Sequence, residues 1–474
     1  MSAEIKTKRS KSLKKKEVPP IRDYQKKCIK KIKSKDYFAL FLKPGLGKTR
    51  IVLEAYKDLK KKGEVDQLLV VAKLRIAIST WPKEIKKWGL LDKGIRYGIL
   101  YGKNREEIWN DPENDILITN YESLPWILKE YNAPHPRKIS MVAIDESSKI
   151  KNTKTKRFKI LKTLRRRFDK KVIMTGTPCP NKLKDIFGQI YFLDGGLSLG
   201  KYITHFLTTY FYPSGYMGYD WKPYEDSEKK ITKKIKSFVA SYGDEMIDGM
   251  PERMDVTRTV ELSSDIMENY RELEKEFVLQ LEEDEVVAIS SVGLMSKLRQ
   301  YVGGCIYGEN KKRINIHEEK VEEVREIIEE LQGSPVLIAF EFNHEMELLK
   351  ENFPNAVFYS NKTKPKEGVK IEDRWNRGEI EVLFGQSEII AHGLNLQEGS
   401  GRTVVWYTIP LNLETYEQLN RRVWRNGQKS KFVDILHIVA RGTTDEVIMK
   451  ILQKKDAEQS DFLEMFKKHY GVSK

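Results

Sequence analysis

Cysteine is nearly absent from this chain: Cys28, Cys179 and Cys305 are the only three in 474 residues, widely spaced and odd in number. No disulfide framework is expected from such a set. Neither these cysteines nor the seven histidines fall at CxxC or HExxH spacing, so no zinc site is indicated. No uninterrupted apolar run approaches the ~20 residues of a membrane span. The Lys-rich start is not followed by the apolar stretch that a secretory signal needs. No internal repeat is visible. These absences predict a soluble chain that works in the cytoplasm, without membrane contact.

What is present points elsewhere. Hydrophobic residues make up 40% of the chain, enough for packed cores, and the length fits two or three domains. Lys and Arg number 85 against 69 Asp and Glu, a net charge of +16 with pI near 9.3. Such an excess favours a polyanionic partner such as nucleic acid, although a merely charged surface carries the same signature.

Residues 1–17 are nearly all polar or basic and predict a flexible tail. From 18 to 195, short apolar runs alternate with amphipathic segments. Strands are expected at 37–42, 68–72, 116–119, 141–144 and 171–174. Such β-branched runs between helices predict a parallel sheet covered on both faces. The stretch 196–315 begins rich in Tyr (Tyr202, Tyr210, Tyr212, Tyr216, Tyr219, Tyr224) with Trp221, then turns Glu- and Lys-rich. It reads as a mostly helical insertion and linker. From 316 to 445 the α/β pattern returns, with strands expected at 335–340, 356–359, 381–384, 403–407 and 433–438. Residues 446–474 read as a C-terminal helical segment.

The loop Leu42-Lys43-Pro44-Gly45-Leu46-Gly47-Lys48-Thr49 follows a predicted strand and opens a predicted helix. Glycines there let backbone N–H groups wrap phosphates, and the helix N-terminus adds positive potential. In such a loop Lys48 would reach the β- and γ-phosphates of ATP and Thr49 would ligate Mg²⁺. Leu42 stands where the strict motif has its first glycine. Asp145-Glu146-Ser147-Ser148 lies at the end of the strand 141–144. A parallel sheet would bring it near that loop, Asp145 placed to hold Mg²⁺ and Glu146 to activate a water. Thr175-Gly176-Thr177-Pro178 ends the next strand. Upstream, Arg22-Asp23-Tyr24-Gln25 precedes a helix, and a Gln amide can pair with the edge of adenine. In the second lobe, Gln418, Arg422 and Arg425 fall on one helix face at spacings of four and three. The guanidiniums of the two arginines would clamp phosphates held by the other lobe, or else line a basic surface helix.

Taken together these segments resemble the superfamily 2 helicase-like ATPases, and within them the Swi/Snf-type DNA translocases. Arg22–Gln25 is similar to the adenine-sensing motif, Gly45–Thr49 to motif I, Asp145–Ser148 to motif II and Thr175–Pro178 to motif III. Ser387–Gln397 resembles motif V and Gln418–Gln428 motif VI; Leu298-Arg299-Gln300 and Gly442–Glu446 match further family signatures. The resemblance spans roughly 20 to 450. It implies an α/β fold of two RecA-like doubly wound parallel-sheet lobes with the insertion between them. It also implies ATP and Mg²⁺ as cofactors, Arg422 and Arg425 as arginine fingers, Gln418 at the γ-phosphate, and Gly393 completing the interface. Lys73 of motif Ia, and Thr119, Asn120 and Tyr121 of motif Ib, would lie on the nucleic-acid path; motif IV would be Ile338–Phe340. Departures are Ser148 where the family commonly has His, Lys43-Pro44 in motif I, and Arg421. The loss of that His moves the expected coupling to Ser148 or Thr175.

The function expected is a DNA-stimulated ATPase translocating along double-stranded DNA as a monomer. A strand-separating DNA or RNA helicase is the alternative, and a non-catalytic ATP-sensing scaffold a third. The compact build suggests a bacterial or phage source.

Overall fold

The computed structural model describes residues 19–134, 137–179, 183–214, 220–242, 250–282, 288–308, 312–396, 398–425 and 428–453. The expected tail at 1–17, residues 454–474 of the C-terminal segment, Tyr216, Tyr219, Gln397, Asn426 and Gly427 lie outside them. In chain order the first strands are β1 (Tyr37–Leu42), β2 (Leu68–Ala72), β3 (Tyr97–Ile99), β4 (Ile116–Asn120), β5 (Met141–Asp145) and β6 (Lys170–Thr175). A hairpin, β7 (Phe211–Ser214) with β8 (Asp220–Pro223), precedes β9 (Val239–Tyr242) and β10 (Glu252–Val260). A second small hairpin is β11 (Cys305–Tyr307) with β12 (Arg313–Asn315). The last strands are β13 (Val336–Phe340), β14 (Val357–Tyr359), β15 (Val382–Gln386), β16 (Thr403–Trp406) and β17 (Phe432–Ala440).

Two parallel sheets result, each with helices on its faces. The first has order β3-β4-β2-β5-β6-β1-β9 and the second β10-β17-β16-β13-β15-β14. Every residue of β2, β4, β5 and β13 is buried, which is why those strands read as unbroken apolar runs rather than alternating ones. Each sheet has its own hydrophobic core. The expected fold of two doubly wound lobes is the observed one.

Strand order creates the site. β5, β6 and β1 are neighbours, with Asp145 opposite Met174 and Thr175 opposite Phe41. The loop after β1, the acidic pair ending β5 and the turn after β6 therefore emerge side by side at one sheet edge, where such folds bind ligands.

The stretch 196–315 joins the two lobes through more than helices. It holds helices such as Ser264–Glu282 and Ala288–Val302, but it also supplies edge strands to both sheets. β9 pairs with β1, and β10 pairs with β17 over nine residues. β10 reads Glu-Arg-Met-Asp-Val-Thr-Arg-Thr-Val, mostly exposed, because an edge strand is covered on few sides and carries charges that discourage further pairing. Among the described residues no helix is long and apolar enough to cross a membrane.

Candidate functional site

The phosphate-type loop is built on two left-handed glycines, Gly45 at φ 92° and Gly47 at φ 72°. Gly47 caps the helix Lys48–Lys61, whose Ile51, Val52, Leu53 and Leu59 bury against the sheet. The loop is strutted from behind. Gln25 Nε2 and the Tyr24 hydroxyl both donate to the Leu46 carbonyl, at 3.2 and 3.1 Å, while Gln25 Oε1 accepts from the Arg22 backbone N–H at 3.0 Å. A Cβ on Gly47 would sit 2.5 Å from Gln25 Nε2, so only glycine fits. Gln25 thus has one N–H and one lone pair outside these two bonds. Lys48 donates to the Leu42 carbonyl at 2.7 Å, and Thr49 follows it, half-buried.

Facing that loop is the acidic pair. Trp81 Nε1 donates to Asp145 Oδ2 at 2.9 Å. Burial, and secondarily the charge of Glu146, push the Asp145 carboxyl up to about 6. Among the described residues Glu146 is one of two non-glycines with positive φ, at 57°, and its buried Oε2 has no hydrogen-bond partner. Strain of this kind persists only where surroundings hold it. Here Tyr121 does so, its hydroxyl lying 2.7 Å from the Asp145 carbonyl and 3.1 Å from that of Glu146. Lys48 belongs to the same charge cluster: burial lowers its ammonium to about 8, against the opposing pull of Glu146 and Asp145, with Arg425 and Arg421 pushing the same way as burial.

The second lobe enters from the helix Leu413–Val423, started by Asn412 Oδ1, which accepts from the Glu414 N–H at 2.9 Å. Gln418 donates to Glu414 Oε1 at 2.8 Å and leaves its own buried Oε1 unpartnered. Arg422 donates from Nε and Nη2 to the Ala391 carbonyl in the helix Ser387–Gly393. Burial, then Arg425, lower its pKa to about 10. Arg425 crosses to the first lobe: a Cβ on Gly45 would be 3.4 Å from its Cγ. Gly393 sits at the same junction, where a Cβ would meet the Tyr359 hydroxyl at 2.8 Å and Arg75 at 3.4 Å.

Sequence reasoning missed the structural roles of four residues. Arg75 stacks its guanidinium 4.6 Å from the Tyr359 ring and donates to the Ser360 and Thr363 carbonyls at 3.2 and 2.9 Å. Lys83 pairs with Glu372 at 2.6 Å and Asp373 at 2.9 Å, bracing the two lobes. Trp81 holds Asp145. Gln189 accepts from the Ser147 hydroxyl at 2.7 Å and donates to the Pro178 carbonyl at 2.5 Å. Ser147, one residue before Ser148, is the hydroxyl that links the acidic turn to the turn after β6 through Gln189. No local pattern marks these residues, because their partners lie from 11 to 290 positions away.

Thr119, Asn120 and Tyr121, expected on the nucleic-acid path, are 1%, 5% and 5% exposed. Thr119 and Asn120 end β4, a strand flanked by β2 and β3, and Tyr121 opens the short helical turn Tyr121–Ser123. Lys73 lies between the lobes: burial lowers it to about 7, with Glu146 and Glu414 opposing and Lys149 assisting. Arg299 of the tripeptide at 298–300 is structural, its Nη1 donating to Glu341 at 3.2 Å and its Nη2 to the Ile409 carbonyl at 2.7 Å. Asp445 likewise accepts from Lys320 at 2.6 Å inside the second lobe.

Comparison with known proteins agrees with this geometry. Residues 34–305 match the model of the SNF2-related domain, and residues 319–427 that of the helicase conserved C-terminal domain. Protein p41 of Acyrthosiphon pisum secondary endosymbiont phage 1 is 30% identical over 440 residues, covering 90% of this chain and 94% of that one. YwqA of Bacillus subtilis (strain 168), named as an ATP-dependent helicase/translocase, is 21% identical over 87% of this chain and 45% of its own length. The CHD3-type chromatin-remodeling factor CHR7 of Arabidopsis thaliana is 26% identical over 87% of this chain and 34% of its own. This chain thus spans most of the phage protein but less than half of the other two. A solved structure of the Sulfolobus solfataricus SWI2/SNF2 ATPase core in complex with dsDNA aligns over 96% of each chain at 20% identity, with TM-score 0.45. With the first family model matched over more than half its length, the chain belongs to the SNF2-related family of helicase-like ATPases.

Proposed function

We propose that this chain is a DNA-stimulated ATPase that moves along double-stranded DNA. The observation that carries the reading is the meeting of Arg425 from the second lobe with Gly45 of the phosphate loop, beside Lys48, Asp145 and Glu146. Phosphates on the loop would be clamped by Lys48 from one lobe and by Arg422 and Arg425 from the other. Glu146, with a buried and unpartnered carboxylate oxygen, is placed to take the proton of an attacking water. Gln418 has a matching unpartnered oxygen to orient it, and Arg22 with Gln25 would border the base.

A magnesium ion fits the donor set. Among the described residues no cluster of three or more His, Cys, Asp or Glu could hold a metal alone. Mg²⁺ is instead held by one or two carboxylates together with substrate phosphates, which suits Thr49 and Asp145. When bound it would neutralise charge on the transferring phosphate. The mutual repulsion of Asp145 and Glu146 would be relieved by that cation.

Closure onto ATP and reopening after hydrolysis would shift one lobe against the other, and alternate grips on the phosphate backbone turn that shift into stepping. The family supports a DNA track, and YwqA's description as a helicase/translocase supports motion. The phage relative suits action in a bacterial cytoplasm. Triplex displacement and fork unwinding, run with ATP on matched substrates, test the reading. Displacement without unwinding is expected. Unwinding without displacement would transfer the assignment to a strand-separating helicase.

A further inference from the structure

The segment 149–171 holds twelve Lys and Arg against a single Asp, so it supplies most of the chain's net charge of +16. Several of these cations serve the fold. Lys151 pairs with Asp185 at 3.1 Å, Arg165 donates to the Phe192 and Leu193 carbonyls, and Lys170 donates to those of Lys33 and Lys35. Five do not: Lys154, Lys156, Lys159, Arg166 and Arg167 are exposed, with no carboxylate in ion-pair reach among the described residues. On the helix Lys156–Leu164 the apolar side chains Phe158, Ile160, Leu161 and Leu164 are buried. Lys156 and Lys159 are spaced by three, and Lys162 and Arg166 extend the row into the turn Arg165–Arg167.

We propose that this ridge docks the phosphate backbone of duplex DNA. The inference rests on the duplex reading above and supplies a contact surface in place of the buried Thr119, Asn120 and Tyr121. The ten residue steps from Lys156 to Arg166 rise about 15 Å at helical pitch, the length of about four phosphates on one strand. A second observation points outward. The helix has no acidic residue in its first turn, where the peptide dipoles favour anions, and carries Lys156 and Arg157 there instead. Such charges weaken an isolated helix, and an external polyanion reverses the penalty. Contact here has a short route to the site: the Arg157 guanidinium lies 6.0 Å from the Tyr121 ring, and Tyr121 holds the Asp145 and Glu146 carbonyls.

The test is a triple variant, Lys156→Gln, Lys159→Gln, Arg166→Gln, compared with the wild type for duplex binding across a salt series. All three positions are exposed, and circular dichroism with a melting curve verifies the fold. Loss of three phosphate contacts makes the slope of log K against log salt shallower by about 2–3. At fixed salt, half-maximal stimulation of ATPase should need at least ~10-fold more DNA, while the rate without DNA stays unchanged. A wild type that binds duplex with a slope the variant does not alter overturns the ridge and leaves the duplex reading standing. A wild type that neither binds duplex nor is stimulated by it overturns both. A larger loss on single-stranded RNA than on duplex DNA overturns the assignment of this surface to DNA.

Discussion

Arg425 of the second lobe lies against Gly45 of the first, with its Cγ 3.4 Å from where a Gly45 Cβ would stand. A residue some 380 positions downstream thereby completes the rim of the phosphate loop. Gly45 is needed twice over, for its φ of 92° and for the room it leaves that side chain.

Arg425→Ala should lower DNA-stimulated ATP turnover by about 10³-fold, the range of arginine-finger losses, and leave DNA affinity within about twofold. Glu146→Gln is the comparison: it should keep ATP binding while turnover falls by about 10²-fold or more. Steady-state hydrolysis together with nucleotide titration separates the two. A rate untouched by the Arg425 change removes that residue from the reaction.

Asp145 makes stability and function pull in opposite directions. Its folded pKa is raised to about 6 by burial and by Glu146, so the nucleotide-free folded state binds this proton more tightly than the unfolded chain. Its contribution to stability is present below about pH 4 and is lost as pH rises through 6. Above that, the buried charge costs on the order of 2–3 kcal/mol. Asp145→Asn should therefore melt a few degrees higher than wild type at pH 7.5 without nucleotide, and show no advantage near pH 4. The variant should also lose the thermal shift that Mg²⁺-ATP gives the wild type. Equal melting temperatures at pH 7.5 would remove the buried-charge cost assigned to Asp145.

Lys83 braces the lobes through Glu372, whose side chain is 2% exposed and whose carboxyl burial pushes up. Lys83→Ala should raise KM for ATP several-fold with a smaller change in kcat, because it weakens closure rather than chemistry. A donor and an acceptor dye on the two lobes should report a more open average distance. Unchanged KM and distance would make the pair a passive surface contact.

Gln189 joins the acidic turn to the turn after β6 through Ser147 and Pro178. Gln189→Leu should slow turnover about tenfold at nearly constant ATP affinity, a loss on the order of 1.4 kcal/mol. Ser147→Ala should act on the same link, so the double change should cost little more than either one. Additive losses would separate the two side chains.

Much of this was legible in the sequence for a physical reason. Strands buried on both faces are written as apolar runs, and β1, β2, β4, β5 and β6 fell where those runs lie. The glycine loop and the Asp-Glu pair carry local signatures, since backbone geometry and strand ends demand particular residues at particular positions. Edge strands do not: β9 is four residues long and β10 mostly exposed and polar. Contacts such as Arg75 with Ser360 depend on how two lobes dock, and nothing within a window of neighbours records that.

The pairing of β10 with β17 governs how the molecule can be divided. A fragment starting at residue 316, where the second α/β pattern begins, would strip β17 of nine residues of backbone partnership. Its bare margin would invite another copy to add itself, the usual route to aggregates in strand-edged fragments. A fragment starting at residue 250 keeps that margin sealed, so the half of the protein that carries Arg422 and Arg425 has its true beginning upstream of the helices that seemed only to precede it.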